Sequence, residues 1–421
     1  MNSTSDIDCC AVGHASPALR LEDALARILA DVRPVAGIET LAIRSALGRV
    51  LAGDVISAID VPAHQNSAMD GYAFASEDLQ ADGETRLAII GVAAAGKPFN
   101  GAVSTGQCTR ILTGAAMPAG TDSVVMQEMV ELEGDVAILP KGQKAGQHVR
   151  QAGEDIGAGQ VALRAGTQLW PAELGVVASL GVSEVTVRRR PRVAFFSTGD
   201  ELRHVGEALE KGQIYDSNRY TIYGMLQRLG VEAIDLGVVR DERNAVAQAF
   251  SDAAAAADAV ITSGGVSVGD ADYVTEILER TGSVGFWRVA MKPGRPFAFG
   301  RIGDALFFGL PGNPVSVMAT FYQLVQPALQ SLAGLPDPGP PLTLTAICRE
   351  ALHTKPGRRE FQRGVLSSEP DGRLVVRRTG IQGSGVLSSM STANCFIVLA
   401  EDGGPVAAGD EVTVQPFAAF V

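Results

Sequence analysis

Cysteine is scarce and scattered in this chain of 421 residues: there are five, at Cys9, Cys10, Cys108, Cys348 and Cys395, with no CxxC pair. An odd number so widely spaced does not resemble a disulfide framework, and a reducing cytoplasm is the expected setting. The histidines, at 14, 64, 148, 204 and 353, form no HExxH or other close pair. That removes support for a zinc hydrolase, and no Cys and His arrangement suggests a thiol enzyme. Lysine and arginine are missing before Arg20, and Asp6 and Asp8 lie in that stretch. The start therefore has neither the basic nor the apolar region of a secretory signal. No uninterrupted apolar run reaches the roughly 18 residues of a membrane span, so a soluble protein is expected. The formal net charge of −12 repels polyanions and argues against nucleic-acid or acidic-membrane partners.

The composition, 46% hydrophobic and 19% charged with 48 dispersed glycines, is that of a globular chain with many tight turns. It is too long for one core, since cores stop growing at about 250 to 300 residues, and three or four domains are expected. After a polar tail, Leu21, Leu25, Ile28, Leu29 and Val32 repeat at helical spacing, and a second short helix is expected over 42–47. From about 60 to 159, short alternating segments (85–90, 107–112, 122–126, 136–139) between glycines and prolines predict a small β-rich module. A helix at 171–180 and a strand at 184–187 precede a boundary at Arg188-Arg189-Arg190-Pro191.

Residues 191–334 alternate most regularly: strands at 193–196, 231–238, 259–262, 286–290, 296–299 and 306–309, and helices at 218–229, 242–257, 271–280 and 315–333. Such alternation predicts a doubly wound α/β sheet with helices on both faces, and the alanine run 253–259 reads as the end of a helix. After the proline-marked linker 335–341, short strands return to the end of the chain as a small all-β domain.

Open α/β sheets bind ligands beyond the carboxyl ends of their strands. The first such end, Phe196-Ser197-Thr198-Gly199-Asp200-Glu201, carries hydroxyls, a glycine and two carboxylates. The second runs from Thr262 through Ser263, Gly264, Gly265, Ser267, Gly269 and Asp270 to Asp272, glycines that let backbone N–H groups approach a phosphate ahead of a helix. One of its aspartates can equally be a helix cap, and so can Asp241 at a third strand end. Carboxylates beside a phosphate repel it unless a cation lies between, and Mg²⁺ takes one or two carboxylates plus phosphate oxygens. Lys292 and Arg295, in a turn stiffened by Pro293 and Pro296, suit an oxyanion, whereas a solvated turn is the plainer reading. Pro311, Asn313 and Pro314 stiffen another strand-to-helix connection. In the β-rich module, Asn66 to Ala73 (with Asp70), Thr113-Gly114 and Gly153-Glu154-Asp155 are polar, loop-like stretches.

Two apparent motifs fail on context. Gly265 to Gly269 matches the GxSxG elbow, but only His353 follows, in the C-terminal β region. Gly91 to Lys97 matches the start of a phosphate loop, but Pro98 stands where a Ser or Thr would hold Mg²⁺.

Taken in order, NSAMDGYA (66–73), RILTGA (110–115), GEDI (153–156), STGDEL (197–202), SGGVSVGDADY (263–273), KPGRPFAFG (292–300), LPGNPVS (310–316) and GSGVLSSMSTANCF (383–396) make the chain resemble the MoeA family of molybdopterin molybdenumtransferases, related to the E domain of gephyrin, over residues 18–421. The resemblance implies a four-domain homodimer that takes adenylyl-molybdopterin and molybdate and, with Mg²⁺, releases AMP and molybdenum cofactor. It implies a discontinuous domain I (18–57 and 160–189, for dimerisation), an inserted β-rich domain II (58–159), an α/β molybdopterin-binding domain III (190–338) and a C-terminal β-barrel domain IV (339–421). The family's catalytic residues fall on Asp70, Thr113, Asp155, Glu201, Asp241 and Asp272, with Asp241 and Asp272 as Mg²⁺ ligands. Substrate contacts are expected from Ser197, Thr198, Gly199, Ser263, Gly264, Gly265, Ser267, Gly269, Pro311, Asn313 and Pro314. Lys292 and Arg295 would hold molybdate, with arginine here where many relatives carry a second lysine. Arg358 and Ser384 resemble a secondary molybdate site, and Gln65 is given no role. The resemblance places the active site between the α/β domain of one subunit and the β-rich module of the other. The resemblance also implies a molybdopterin adenylyltransferase and acceptor molybdoenzymes as partners. A molybdopterin adenylyltransferase or a non-enzymatic molybdopterin-binding scaffold are the alternative functions.

Overall fold

The computed structural model describes residues 18–264 and 282–417. They divide into two compact units: residues up to Glu39 together with those from Arg188 onward, and Thr40–Val187.

In the first unit a six-stranded sheet runs in the order Glu232–Val239, Arg192–Thr198, Ala259–Ser263, Ala305–Leu310, Pro296–Ile302, Gly282–Arg288. Its first four strands are parallel and the last two antiparallel. The central strands are apolar at successive positions because both faces are covered. Val193, Phe195, Ile261 and Phe308 join a core with Ile28 of helix Leu21–Asp31 and Ile222 and Leu226 of helix Ser217–Leu229. Ala194, Phe196, Val260 and Phe307 turn the other way, onto Val246, Phe250 and Ala253 of helix Arg243–Ala256. The expected strand near 286–290 starts earlier, at Gly282, and the expected helix 271–280 lies outside the described residues.

The expected helix 315–333 is helix Pro314–Thr320, a wider turn Phe321–Val325, and helix Gln326–Leu332. The wide turn ends just before Pro327, which has no N–H for the carbonyl four residues back. C-terminal to this, Arg359–Ser368, Leu374–Arg378, Leu344–Cys348, Glu411–Pro416 and Cys395–Leu399 pair in that order, and the last returns to the first. Closure into a five-stranded barrel leaves no free edge.

In the second unit a six-stranded sheet runs in the order Ser123–Met126, Gly71–Phe74, Gln107–Ile111, Thr85–Ala93, Val136–Leu139, Glu131–Glu133. Helix Pro171–Ser179 and strand Glu184–Arg188 stand where expected. The short helix expected at 42–47 is only one tight turn, Ile43–Ser45, after strand Ile38–Ala42. The stretch read as a loop at 66–73 holds strand Gly71–Phe74, buried throughout and flanked by strands on both sides. A Cβ on Gly71 would fall 1.8 Å from the Val125 carbonyl oxygen, so only glycine fits there. The 91–97 segment ends a strand and turns back through an Ala94–Lys97 bridge with no helix behind it, which removes the phosphate-loop reading. Among the described residues no helix is long and apolar enough to cross a membrane.

Candidate functional site

The Gly71–Phe74 and Gln107–Ile111 strands are antiparallel with Gly71 opposite Ile111. That register brings Asp70, just before one strand, beside Thr113, just after the other. Asp70 Oδ1 accepts from both the backbone N–H and the hydroxyl of Thr113, each at 2.7 Å. These two donors hold the exposed Asp70 carboxyl below the ordinary carboxylate range. Backbone hydrogen bonds tie neighbouring loops to this pair: Gly114 N–H donates to Ser67, Ala68 N–H to His148, and Asn66–Ser67 pairs with Val149–Arg150. Asp155, exposed, follows on the same stretch, and its N–H donates to the Val61 carbonyl.

In the first unit, parallel pairing sets Ser197 opposite Ser263 and Ser263 opposite Leu310. The strand ends carrying Ser197 and Thr198, Ser263 and Gly264, and Leu310 and Pro311 therefore finish side by side, where the chain order switches direction and ligands bind. Gly264 has φ +91, donates its N–H to Leu310, and would place a Cβ 2.8 Å from the Thr198 carbonyl oxygen. Asn218, in the first turn of helix Ser217–Leu229, donates from Nδ2 to Ser263 Oγ and to the Gly312 carbonyl, both at 2.7 Å. Three buried polar atoms here have no hydrogen-bond partner among the described residues: Ser197 Oγ, Thr262 Oγ1 and Asn218 Oδ1; Asp216 Oδ2 faces Arg219 Nε at 3.5 Å. Orphaned buried polar atoms are rare in folded proteins, and their concentration at one sheet end suits a polar ligand.

Beyond the same strand end the chain turns through Gly199, and the Glu201 carboxylate folds back against that glycine. Burial, together with the negative charges of Asp200 and Glu201, pushes the Asp241 carboxyl above its ordinary value. This surplus of negative charge, on oxygen donors, is chemistry that a hard divalent cation fits. Among the described residues no three such groups converge closely enough to hold an ion by themselves. Asp272, with Gly265, Ser267 and Gly269, lies outside the described residues.

Lys292 Nζ is 2.9 Å from Glu360 Oε1, and Glu360 is 3% exposed. Strand Met291–Lys292 pairs with Arg359 and Glu360 of the barrel, which brings this ion pair together. Arg295 is exposed; its carbonyl accepts from the Val289 N–H, but its side chain has no hydrogen-bond or ion-pair partner among the described residues, so its guanidinium is the uncommitted cation of the turn. Asn313 stands at the N-cap position of helix Pro314–Thr320 without a side-chain capping bond, and the Val315 N–H donates to the Ser384 carbonyl, so the barrel's 383–389 loop meets that helix.

Arg358 is half-buried; the arginine that bonds the Ser384 loop is Arg363, 1% exposed. Arg363 donates to Ser389 Oγ at 3.0 Å and to the Gly383 carbonyl at 2.9 Å, and burial lowers its pKa to about 10. Sequence reasoning missed Asn218, Glu360 and Arg363. The available signals were a small polar run, Asp216-Ser217-Asn218, opening a helix, and charged residues inside an otherwise buried strand.

Three family models match in order: the MoeA N-terminal region (domain I and II) at residues 19–181, a probable molybdopterin binding domain at 194–331, and the MoeA C-terminal region (domain IV) at 345–417. The chain is 45% identical to a molybdopterin molybdenumtransferase of Haemophilus influenzae over 95% of its length and 98% of the relative's. It is 38% identical to one of Nostoc sp., over 88% and 86%. The crystal structure of the molybdopterin biosynthesis moeA protein from Pyrococcus horikoshii superposes with a TM-score of 0.81 at 30% identity, covering 95% of this chain and all of that one. Full-length similarity at this level, over the same order of an N-terminal region, an α/β domain and a terminal barrel, means that the chain belongs to the MoeA family of molybdopterin molybdenumtransferases.

Proposed function

We propose that this protein is a molybdopterin molybdenumtransferase: it takes molybdenum from molybdate into adenylyl-molybdopterin and releases AMP, giving molybdenum cofactor. The observation that carries the reading is the 45% identity to a named molybdopterin molybdenumtransferase over 95% of the chain, beyond the α/β domain alone. In this reading Ser197, Thr198, Gly199, Ser263 and Gly264, with Gly265, Ser267 and Gly269, seat the phosphate. Pro311, Asn313 and Pro314 shape the crevice wall. Asp241 and Asp272 would hold a Mg²⁺ ion, which supplies charge neutralisation at the phosphoanhydride when bound. Arg295 supplies a guanidinium fork for molybdate, and Lys292, steered by Glu360, adds directed N–H donors. Asp70, kept ionised by Thr113, serves with Asp155 and Glu201 as the proton-handling set. Ser384 and Arg358 would hold a second oxyanion.

We further propose that the enzyme works as a homodimer in the cytoplasm and that domain I runs over 18–57 and 160–189, domain II over 58–159, domain III over 190–338 and domain IV over 339–421. Free, buried Cys108, Cys348 and Cys395 support the reducing setting. Purified protein given adenylyl-molybdopterin and Mg²⁺ should release AMP only when molybdate is added. Binding without AMP release would instead favour a scaffold, and formation of the adenylate from molybdopterin and ATP would favour an adenylyltransferase. Asp241→Asn and Asp272→Asn should each lose most activity without lowering the parent's unfolding midpoint.

A further inference from the structure

We propose that Asn218 is a positioning residue of the strand-end crevice, whose carboxamide turns the Ser263 hydroxyl into a hydrogen-bond donor aimed at the substrate's phosphate. The inference rests on the transfer reaction proposed above and extends it to a residue to which that reading gives no role.

The orientation of the amide follows from its partners. The Gly312 carbonyl, 2.7 Å from Asn218, can only accept, so the nitrogen and not the oxygen must face it. The other N–H of the same nitrogen then points to Ser263 Oγ, also at 2.7 Å. A hydroxyl has one proton and two acceptor sites. With its oxygen accepting from Asn218, the Ser263 proton must be donated elsewhere, and it has no acceptor among the described residues. Ser263 is 2% exposed at the last position of its strand, immediately before the left-handed Gly264. A phosphoryl oxygen at this sheet end would meet a donor whose direction is already set, without the cost of ordering it on binding.

Asn218 also offers its own acceptor: Oδ1 is buried and has no hydrogen-bond partner among the described residues. The Asn218–Ser263 pair thus presents one donor and one acceptor side by side, matched to a phosphate next to a group bearing N–H or O–H. The two bonds reach across 45 and 94 residues of sequence, so one side chain clamps the helix start, the second strand end and the Pro311–Pro314 connection.

The isosteric Asn218→Asp discriminates this role from a packing role. Its carboxylate faces the Gly312 carbonyl without a proton and captures the Ser263 proton, so the donor no longer reaches the substrate. The KM for adenylyl-molybdopterin should rise about ten- to a hundredfold, the range of a lost hydrogen bond to a charged group, with kcat within about threefold. Asn218→Ala should raise KM less, because Ser263 keeps a free proton. In a Ser263→Ala background, which alone raises KM comparably, Asn218→Asp should add less than about threefold. Effects that multiply, an Asn218→Ala loss as large as that of Asn218→Asp, or an unchanged KM in Ser263→Ala would overturn the inference. The Ser263→Ala arm stands if the Asn218 variants fail to fold. Calorimetric titration of every variant with molybdopterin, in which the same affinity ratios are expected, tests the inference separately. A wild type that binds molybdopterin but releases no AMP sinks the transfer reading alone.

Discussion

Replacing Gly264 by alanine should destabilise the α/β body by about 2–5 kcal/mol, which splits into two separable causes. Gly264 has φ +91, a conformation that costs an L-residue about 1–2 kcal/mol. Its new Cβ would also lie 2.8 Å from the Thr198 carbonyl oxygen, closer than real contacts come, and both atoms belong to strand ends held by the sheet. Relief requires the Ala259–Ser263 strand end to move off its neighbour, an overpacking cost of about 1–3 kcal/mol. Gly230 is the internal control: its φ is +68, it ends helix Ser217–Leu229, and a Cβ there meets nothing within 4 Å. Gly230→Ala should therefore show only the conformational part, about 1–2 kcal/mol. Urea denaturation of both variants, followed by tryptophan fluorescence and near-UV circular dichroism, measures the difference. Equal losses would refute the close-approach argument, and unchanged stability in both would refute the backbone assignment too. Because the strand end carries Ser263, Gly264→Ala should also weaken molybdopterin binding, whereas Gly230→Ala should leave it unchanged.

Thr113→Val removes the hydroxyl that donates to Asp70, so the Asp70 carboxyl should titrate closer to its ordinary value in an NMR pH series. A depressed carboxyl contributes stability above its unfolded value that is lost as pH falls through its folded one. Asp70 is exposed, so the titration midpoint is the observable, and an unmoved midpoint would discount the hydrogen bond. Asp241 runs the opposite way: its raised value means that the folded state binds the proton more tightly. Its contribution is present below the ordinary aspartate value near about 3.9 and is lost as pH rises through the raised one. Asp200→Asn should lower the Asp241 midpoint and flatten that loss; a midpoint that stays put would show that the two carboxylates do not interact.

The alternation of strands and helices over 191–334 was legible because each pattern is local. Strands buried on both faces read as short apolar runs, and helices Ser217–Leu229 and Arg243–Ala256 show their periodicity within a few turns. Strand Gly71–Phe74 was not legible: in four residues the strand preference of Tyr72 and Phe74 is offset by Gly71 and Ala73, and neighbours on both sides make them a strand. The short helix expected at 42–47 failed for a related reason, since tertiary pairing of Ile38–Ala42 with Glu184–Arg188 outweighs a weak local preference.

By itself the sequence determined the class of chemistry: hydroxyls, glycines and carboxylates at strand ends, a two-cation turn, and motifs in the family's order. Those features are one-dimensional, because residue type and short spacing are enough to state them. Only the tertiary structure decided which cation of the turn is committed, since the Lys292–Glu360 pair spans 68 residues. It likewise decided that Asn218 joins two strand ends and that Arg363 holds the Ser384 loop from within the barrel. Hydrogen bonds and burial depend on which distant segments the fold brings within about 3 Å, and no local pattern encodes that distance.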